Sequence, residues 1–370
     1  MERVPFDIKE IENATEVPGF FPGMPPIKVF DRPISPKENF RLLYERKIPF
    51  WLPSFNDSQM MTPRVDPDNV ARAFAFEANP LSFEEMVGGP DKFGIPWVYV
   101  PQAQGSMVEP GNPTMTDTND WQDIINFPDV ANWDWAGSAE ANKDWVKTDK
   151  WFVYCHLTGL FERMISFMDF DNAAVALIDP DQVDATHALL SALADNAIDI
   201  IGRAYNAYGG VFDAINFHDD WGSQRAPFFS KDVCMEMIVP ALKKVVSFVH
   251  DDLGLFFDMH SCGKNEMLVP CYIEAGCDSW SGQDMNNKPM LYDLYGDKII
   301  LGIEPDIPYD MFSPVPMTLE DACASAQRFL DKYVPNFLEK PVTMGFFGGP
   351  AGYDEFFYEA ARKAFNNLAG

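Results

Sequence analysis

Only five histidines occur in the 370 residues, and three of them end short apolar runs. These are Phe152-Val-Tyr-Cys-His156, Asp213-Ala-Ile-Asn-Phe-His218 and Phe256-Phe-Asp-Met-His260. His260 is followed by Ser261-Cys262-Gly263. Alternate residues of a strand point to the same side, so His260 and Cys262 can present an imidazole and a thiolate to one metal ion. Zinc takes nitrogen and sulfur ligands in tetrahedral sites, and a catalytic zinc keeps one position open. Two ligands do not make a site, so a third must come from another strand end. The plainer reading is a buried His and Cys that pack and hydrogen-bond without metal. His218 opens a second cluster, His218-Asp219-Asp220-Trp-Gly-Ser-Gln224. Its acids suit a metal ligand, a general acid or a substrate anchor, or one of them simply caps the following loop. Glu304, closing Ile-Ile-Leu-Gly-Ile-Glu304, is a third strand-end carboxylate.

These groups need elements that bring them to one rim. Apolar runs predict strands over 48–54, 94–100, 151–156, 211–218, 255–262, 278–282, 298–304 and 342–347. Helical periodicity lies between the later ones: 181–208, 231–251 after a capping Ser230, 265–275, 288–294, 318–338 and 353–367. Thr318-Leu-Glu-Asp321 is a helix-start signal related to the capping box. His187 and His250 fall on predicted helices. Eight strand-then-helix units predict an α/β chain folded as a (β/α)8 TIM barrel, whose chemistry sits at the C-terminal ends of its strands. An open doubly wound sheet usually carries a Gly-rich phosphate turn after its first strand, and none occurs here. The expected organisation is an irregular, Pro-rich arm over 1–45, with Pro22, Pro25 and Pro26 blocking helix. A single barrel over 46–370 follows, with an insertion at about 102–150 that holds Trp121, Trp133, Trp135 and Trp145.

Composition narrows the partners. Fifty-six acidic against 28 basic residues give a net charge of −28, which argues against nucleic acid and anionic membrane surfaces. It also disfavours a polycarboxylate substrate. No apolar run approaches the ~18 residues of a membrane span, and the first residues lack the pattern of a signal peptide. The six cysteines (155, 234, 262, 271, 277 and 323) follow no fixed framework, which predicts reduced thiols and a cytoplasmic protein. The 31 Phe, 9 Trp and 18 Met suit an aromatic pocket or, equally, a Phe-rich core.

From about Ser35 to the end, the chain resembles the uroporphyrinogen decarboxylase superfamily. The resemblance is carried by His218-Asp-Asp-Trp-Gly-Ser-Gln224, Phe256-Phe-Asp-Met-His-Ser-Cys-Gly263, Glu274-Ala-Gly-Cys-Asp278 and Gly302-Ile-Glu304. The decarboxylases hold porphyrin carboxylates with an Arg-rich motif after their first strand. Here that place reads Ser54-Phe-Asn-Asp-Ser-Gln-Met-Met61, without arginine. The resemblance therefore implies the corrinoid-dependent methyltransferase branch, which moves methyl groups to or from a separate cobalamin-carrying protein. Its coenzyme M-type, thiol-methylating members bind zinc through a His-x-Cys pair plus a cysteine in a Gly-rich turn after the last strand. His260 and Cys262 match the pair, but Phe347-Gly-Gly-Pro350 contains no cysteine. Cys277 precedes its strand and should lie at the opposite rim. A zinc site must then be completed by Glu304 or by a residue of the His218-Asp219-Asp220 cluster.

Relatives with the His-Asp-Asp and His-Ser-Cys-Gly pattern resemble the substrate-specific component of anaerobic O-demethylase systems. The resemblance thus implies a transferase that takes methyl from a methoxylated aromatic and passes it to the Co(I) corrinoid of a partner protein. The expected metal set is His260, Cys262 and Glu304, and the expected catalytic set is His218, Asp219 and Asp220. Asp258-Met-His-Ser-Cys-Gly263 also fits the Asp-x-His-x-x-Gly pattern of corrinoid domains. No Ser-x-Leu segment follows it, so the corrinoid is expected on the partner. A homodimer is compatible with this arrangement. Other functions to weigh are a zinc-dependent thiol methyltransferase, a decarboxylase-like enzyme and a non-catalytic binding barrel.

Overall fold

The structure, a computed structural model, describes residues 3–19, 26–82, 84–101, 105–307, 317–345 and 348–370. The chain divides into two compact units. One comprises Met1–Gln59, Asp149–Trp151 and Lys288–Gly370, and the other Met60–Thr148 and Phe152–Asn287. Both are α/β, as expected.

The second unit carries the predicted chemistry. A small antiparallel sheet comes first, made of β1 (Gly88–Pro90), β2 (Pro96–Val100) and β3 (Gly105–Val108), with Trp97 opposite both Gly89 and Val108. Four strands then follow in parallel and in sequence order: β4 (Trp151–His156), β5 (Ala214–His218), β6 (Phe256–Ser261) and β7 (Ser279–Gly282). Between β4 and β5 run α1 (Leu160–Ala176) and α2 (Val183–Ala207). The helix between β5 and β6 begins after Ser230, whose hydroxyl accepts the Val233 N–H. It continues as unbroken helix through Val239–Ser247, flanked by two π turns. On β5 and β6 one side is apolar: Ile215, Phe217, Phe257 and Met259 are fully buried. The other side is polar, and register aligns it: Asn216 with Asp258, His218 with His260, Ser279 with Asp258, and Ser281 with His260. A one-residue slip would reverse both faces.

In the first unit, Ile300–Gly302 pairs in parallel with Val342–Thr343. Leu319–Tyr333, capped by Thr318, and Tyr353–Ala369 are its long helices. The arm is less irregular than its composition implies. It forms a helical turn Lys9–Glu12, an antiparallel pair Thr15–Val17 with Ile27–Val29, and the helix Pro36–Tyr44, started by a Ser35–Glu38 capping box. Buried Arg362 donates to both carboxylate oxygens of Glu10 at 2.8 Å, fastening the arm to the last helix.

Among the described residues the expected closed barrel of eight strands is not formed, and two predicted strands show why. Residues 48–54 make no ladder beyond a single Ser54–Met344 bridge. Pro49 and Pro53 have no N–H to give. The Asn39 side chain takes the place of a neighbouring strand, accepting the Phe50 N–H at 2.7 Å and donating to the Trp51 carbonyl at 2.9 Å. Residues 94–100 do yield a strand, β2, but in the antiparallel sheet. Asp91 ends β1 by accepting the N–H groups of Phe93 and Ile95, which folds the chain back as a hairpin. Of the predicted last strand, residues 346–347 lie outside the described residues, as do 20–25 of the arm and 102–104 of the insertion. The rest of the insertion carries β3 and two short helices, Trp121–Ile124 and Trp135–Ala141.

A candidate metal centre at two adjacent strand ends

β5 and β6 end side by side, and their register stacks the His218 and His260 rings 4.8 Å apart and 16° from parallel. Beyond them the two following loops lock together. Asp219 N–H donates to the His260 carbonyl at 3.1 Å, Trp221 N–H to Ser261 Oγ at 3.0 Å and Lys264 N–H to the Ser223 carbonyl at 2.7 Å. Gly263 is required there: its φ is +86°, and a Cβ would meet the Gly222 carbonyl oxygen at 2.0 Å. The result brings His218, Asp220, His260 and Cys262 together, with one ligand atom from each within 4.8 Å of all the others.

Two of the pairs within the group have the spacing of a coordination shell. Zinc bonds of about 2.0 Å to nitrogen or oxygen and 2.3 Å to sulfur put tetrahedral ligand atoms roughly 3.3–3.6 Å apart. His260 Nε2 and Cys262 Sγ are 3.4 Å apart, and His218 Nε2 and Asp220 Oδ1 are 3.6 Å apart. Asp220 Oδ1 also accepts the Cys262 N–H at 2.6 Å, which fixes the carboxylate against the other loop. Two imidazoles, a thiol and a carboxylate are a donor set suited to zinc. These residues fit the metal.

Their electrostatics are uneven. Burial opposes protonation of His218, but Asp220 and Glu162 outweigh it and hold its pKa well above the usual histidine range. His260 goes the other way: burial and the neighbouring His218 push it down to about 3. Burial raises the Cys262 thiol, with His218 acting against it and Asp220 adding to it. Binding of a metal ion here would displace the second ring proton of His218 and the thiol proton of Cys262.

Two residues that the sequence reading passed over complete the surroundings. Glu162 sits in the first turn of α1, with Oε2 3.0 Å from His218 Nδ1. Its Oε1 accepts from Arg72 Nη1 at 2.9 Å. Burial opposes ionisation of Glu162, yet Arg72 and His218 overcome it and hold the carboxyl at about 2. The available signal was position: Glu162 begins a helix just past the end of β4, on the same rim as His218.

Asp219 is not one of the four. Its Oδ2 accepts the N–H groups of Leu160 and Phe161 at 2.9 and 3.0 Å, and its Oδ1 that of Glu162 at 2.8 Å. It therefore caps α1, supplying the acceptors that a helix start lacks. Gly159 permits this approach, since a Cβ there would lie 2.3 Å from the Asp219 Cβ. His156 is buried and stacks on Phe217 at 5.1 Å. Glu304 lies in the first unit, where Lys288 Nζ donates to it at 2.6 Å and the Gly345 N–H at 3.0 Å. Cys277 is buried at the N-terminal side of β7.

No protein-family model matches the sequence, and the comparison with curated proteins found no match. Among solved structures, a methyltransferase from Methanosarcina mazei superposes with a TM-score of 0.59 at 13% identity, covering 91% of this chain and all of that one. A Group IV chitinase of Ostrinia furnacalis in complex with allosamidin reaches a TM-score of only 0.32 at 10% identity, over 59% of this chain and 89% of that one. The second likeness carries no argument. The first shows that this chain has the fold of that methyltransferase.

Proposed function

We propose that the chain is a methyltransferase that cleaves the methyl ether of a methoxylated aromatic and delivers the methyl group to the Co(I) corrinoid of a partner protein. The observation that carries the reading is the gathering of His218, Asp220, His260 and Cys262 at adjacent parallel strand ends, in a chain with a methyltransferase's fold. The motifs resembling the corrinoid-dependent branch supply the substrate class and the partner.

An alkyl aryl ether is a poor electrophile, because its leaving group is an aryloxide whose conjugate acid has a pKa of about 10. Cleavage needs help at the ether oxygen. His218, Asp220, His260 and Cys262 would hold a zinc ion, which when bound supplies a Lewis acid at that oxygen. The chain's own residues prepare the place. Asp220 is pinned by the Cys262 N–H, and His218 is oriented by Glu162. The partner's Co(I) electron pair forms the new bond to the methyl carbon while the carbon–oxygen pair leaves with the aryloxide. Cobalt must approach to about 3–3.5 Å for that displacement, so the partner docks over the ends of β5 and β6.

A second reading draws on the two carboxylates beside His218. They favour its imidazolium, which could hand a proton to the departing oxygen without a metal. Incubating the chain with a reductively activated corrinoid protein and a panel of methoxyarenes tests both readings. A change from the Co(I) to the methylcorrinoid absorption spectrum is expected with at least one arene. Loss of the change on chelation, and its return with zinc, selects the metal reading. An unchanged rate after chelation selects the proton reading, and no transfer from any arene refutes the proposal.

A further inference from the structure

We infer that Glu162, backed by Arg72, is a positioning residue that fixes which nitrogen of His218 faces the four-residue group; the inference rests on the metal reading above. His218 Nδ1 lies 3.0 Å from Glu162 Oε2 and 3.1 Å from the Leu157 carbonyl oxygen. A backbone carbonyl only accepts hydrogen bonds, so Nδ1 must carry the proton, and Glu162 Oε2 is placed to accept it as well. In the neutral ring the lone pair then sits on Nε2, the nitrogen that faces Asp220. A histidine ligand needs that arrangement: its far N–H given to a carboxylate, its near nitrogen free for the metal.

Glu162 is itself held from two sides. Arg72 donates to Oε1 at 2.9 Å, and the Glu162 main-chain N–H donates to Asp219, the residue next to His218, at 2.8 Å. The chain therefore closes a circuit. His218 leads to Asp219, Asp219 caps the helix that carries Glu162, and Glu162 returns to the His218 ring. Both Arg72 and Glu162 are largely buried, with side chains 15% and 12% exposed, so solvent screens the pair little. Arg72 also lies 5.2 Å over the Trp97 ring of β2. Through it the small antiparallel sheet is tied to the orientation of one candidate ligand.

The test is zinc affinity of the full chain, measured by competition with a chromogenic chelator, for wild type, Glu162→Gln, Arg72→Met and the double variant. Glu162→Gln is expected to weaken zinc binding about 10–100-fold, the usual cost of losing an outer carboxylate. Arg72→Met should weaken it in the wild-type background and change it less than about twofold in the Glu162→Gln background, because Arg72 acts through Glu162. In zinc-loaded protein with 15N-labelled histidine, the His218 Nδ1–H resonance should move in Glu162→Gln while those of His187 and His250 stay. If Glu162→Gln does not fold, Arg72→Lys replaces it, with a smaller loss of affinity and the same resonance moving. Zinc binding in the variants within about twofold of wild type, or an unmoved resonance, overturns the inference alone. A wild-type chain that binds no zinc overturns the metal reading and the inference with it.

Discussion

Asp219 offers the sharpest separation of scaffold from chemistry. It is fully buried, and its two oxygens take three main-chain N–H groups of α1. In Asp219→Asn one amide oxygen can keep the Leu160 and Phe161 bonds, but the NH2 group then faces the Glu162 N–H. One bond is lost and a buried donor is left facing a donor, at a cost of about 1–3 kcal/mol. Asp219→Ala strands all three N–H groups and should cost about 3–6 kcal/mol. Urea unfolding followed by tryptophan fluorescence reads both, with the midpoint falling further for Ala than for Asn. Zinc content per folded molecule should fall only as far as displacement of Glu162 loosens His218. The refuting result is an unchanged midpoint with turnover abolished, which would make Asp219 a catalytic group.

Other outcomes follow from the same geometry. Cys262→Ser should sharply reduce bound zinc by elemental analysis of dialysed protein, since a thiolate supplies much of the affinity at neutral pH; unchanged content would remove Cys262 from the centre. Glu162, depressed to about 2 from 4.5, stabilises the fold in full above about pH 4.5 and ceases to as pH falls towards 2. That is about 3 kcal/mol, so Glu162→Gln should be less stable than wild type at neutral pH and should lose about 3 kcal/mol less between pH 4.5 and 2, read from urea midpoints across that range. Arg163 is buried against Asp68 and Asp91, with Lys92 as a second cation on Asp68. Arg163→Met should cost about 3–5 kcal/mol, because it leaves buried carboxylates short of a partner. A change below 1 kcal/mol in the urea midpoint would contradict that.

Strand-end chemistry was legible because it is local. The alternation of β6 puts His260 with Cys262, and the motif after β5 puts Asp220 within reach of them. The partition between Asp219 and Asp220 was not legible, since it depends on where α1 begins. Nor was α1 itself apparent: Leu160, Phe161, Met164, Phe167 and Met168 are all buried, so no polar face marks the period, and the chain kinks at Asp169, with φ 58°. The 48–54 run misled for a related reason. Its apolar pattern is that of a strand, yet its hydrogen bonds go to Asn39, a side chain that no local pattern associates with it. Arg72 and Glu162 stand 90 residues apart, and only the fold joins them to His218.

The destination of the methyl group decides whether this chain is a demethylase component. It is tested most directly by a single turnover of a 13C-methoxy-labelled arene with the chain and a Co(I) corrinoid protein, followed by carbon NMR. The label is expected on cobalt of the partner, with one equivalent of phenol released, and neither in the absence of this chain. Label appearing in methanol or formaldehyde, or methyl reaching cobalt only from an amine or thiol donor, would contradict it.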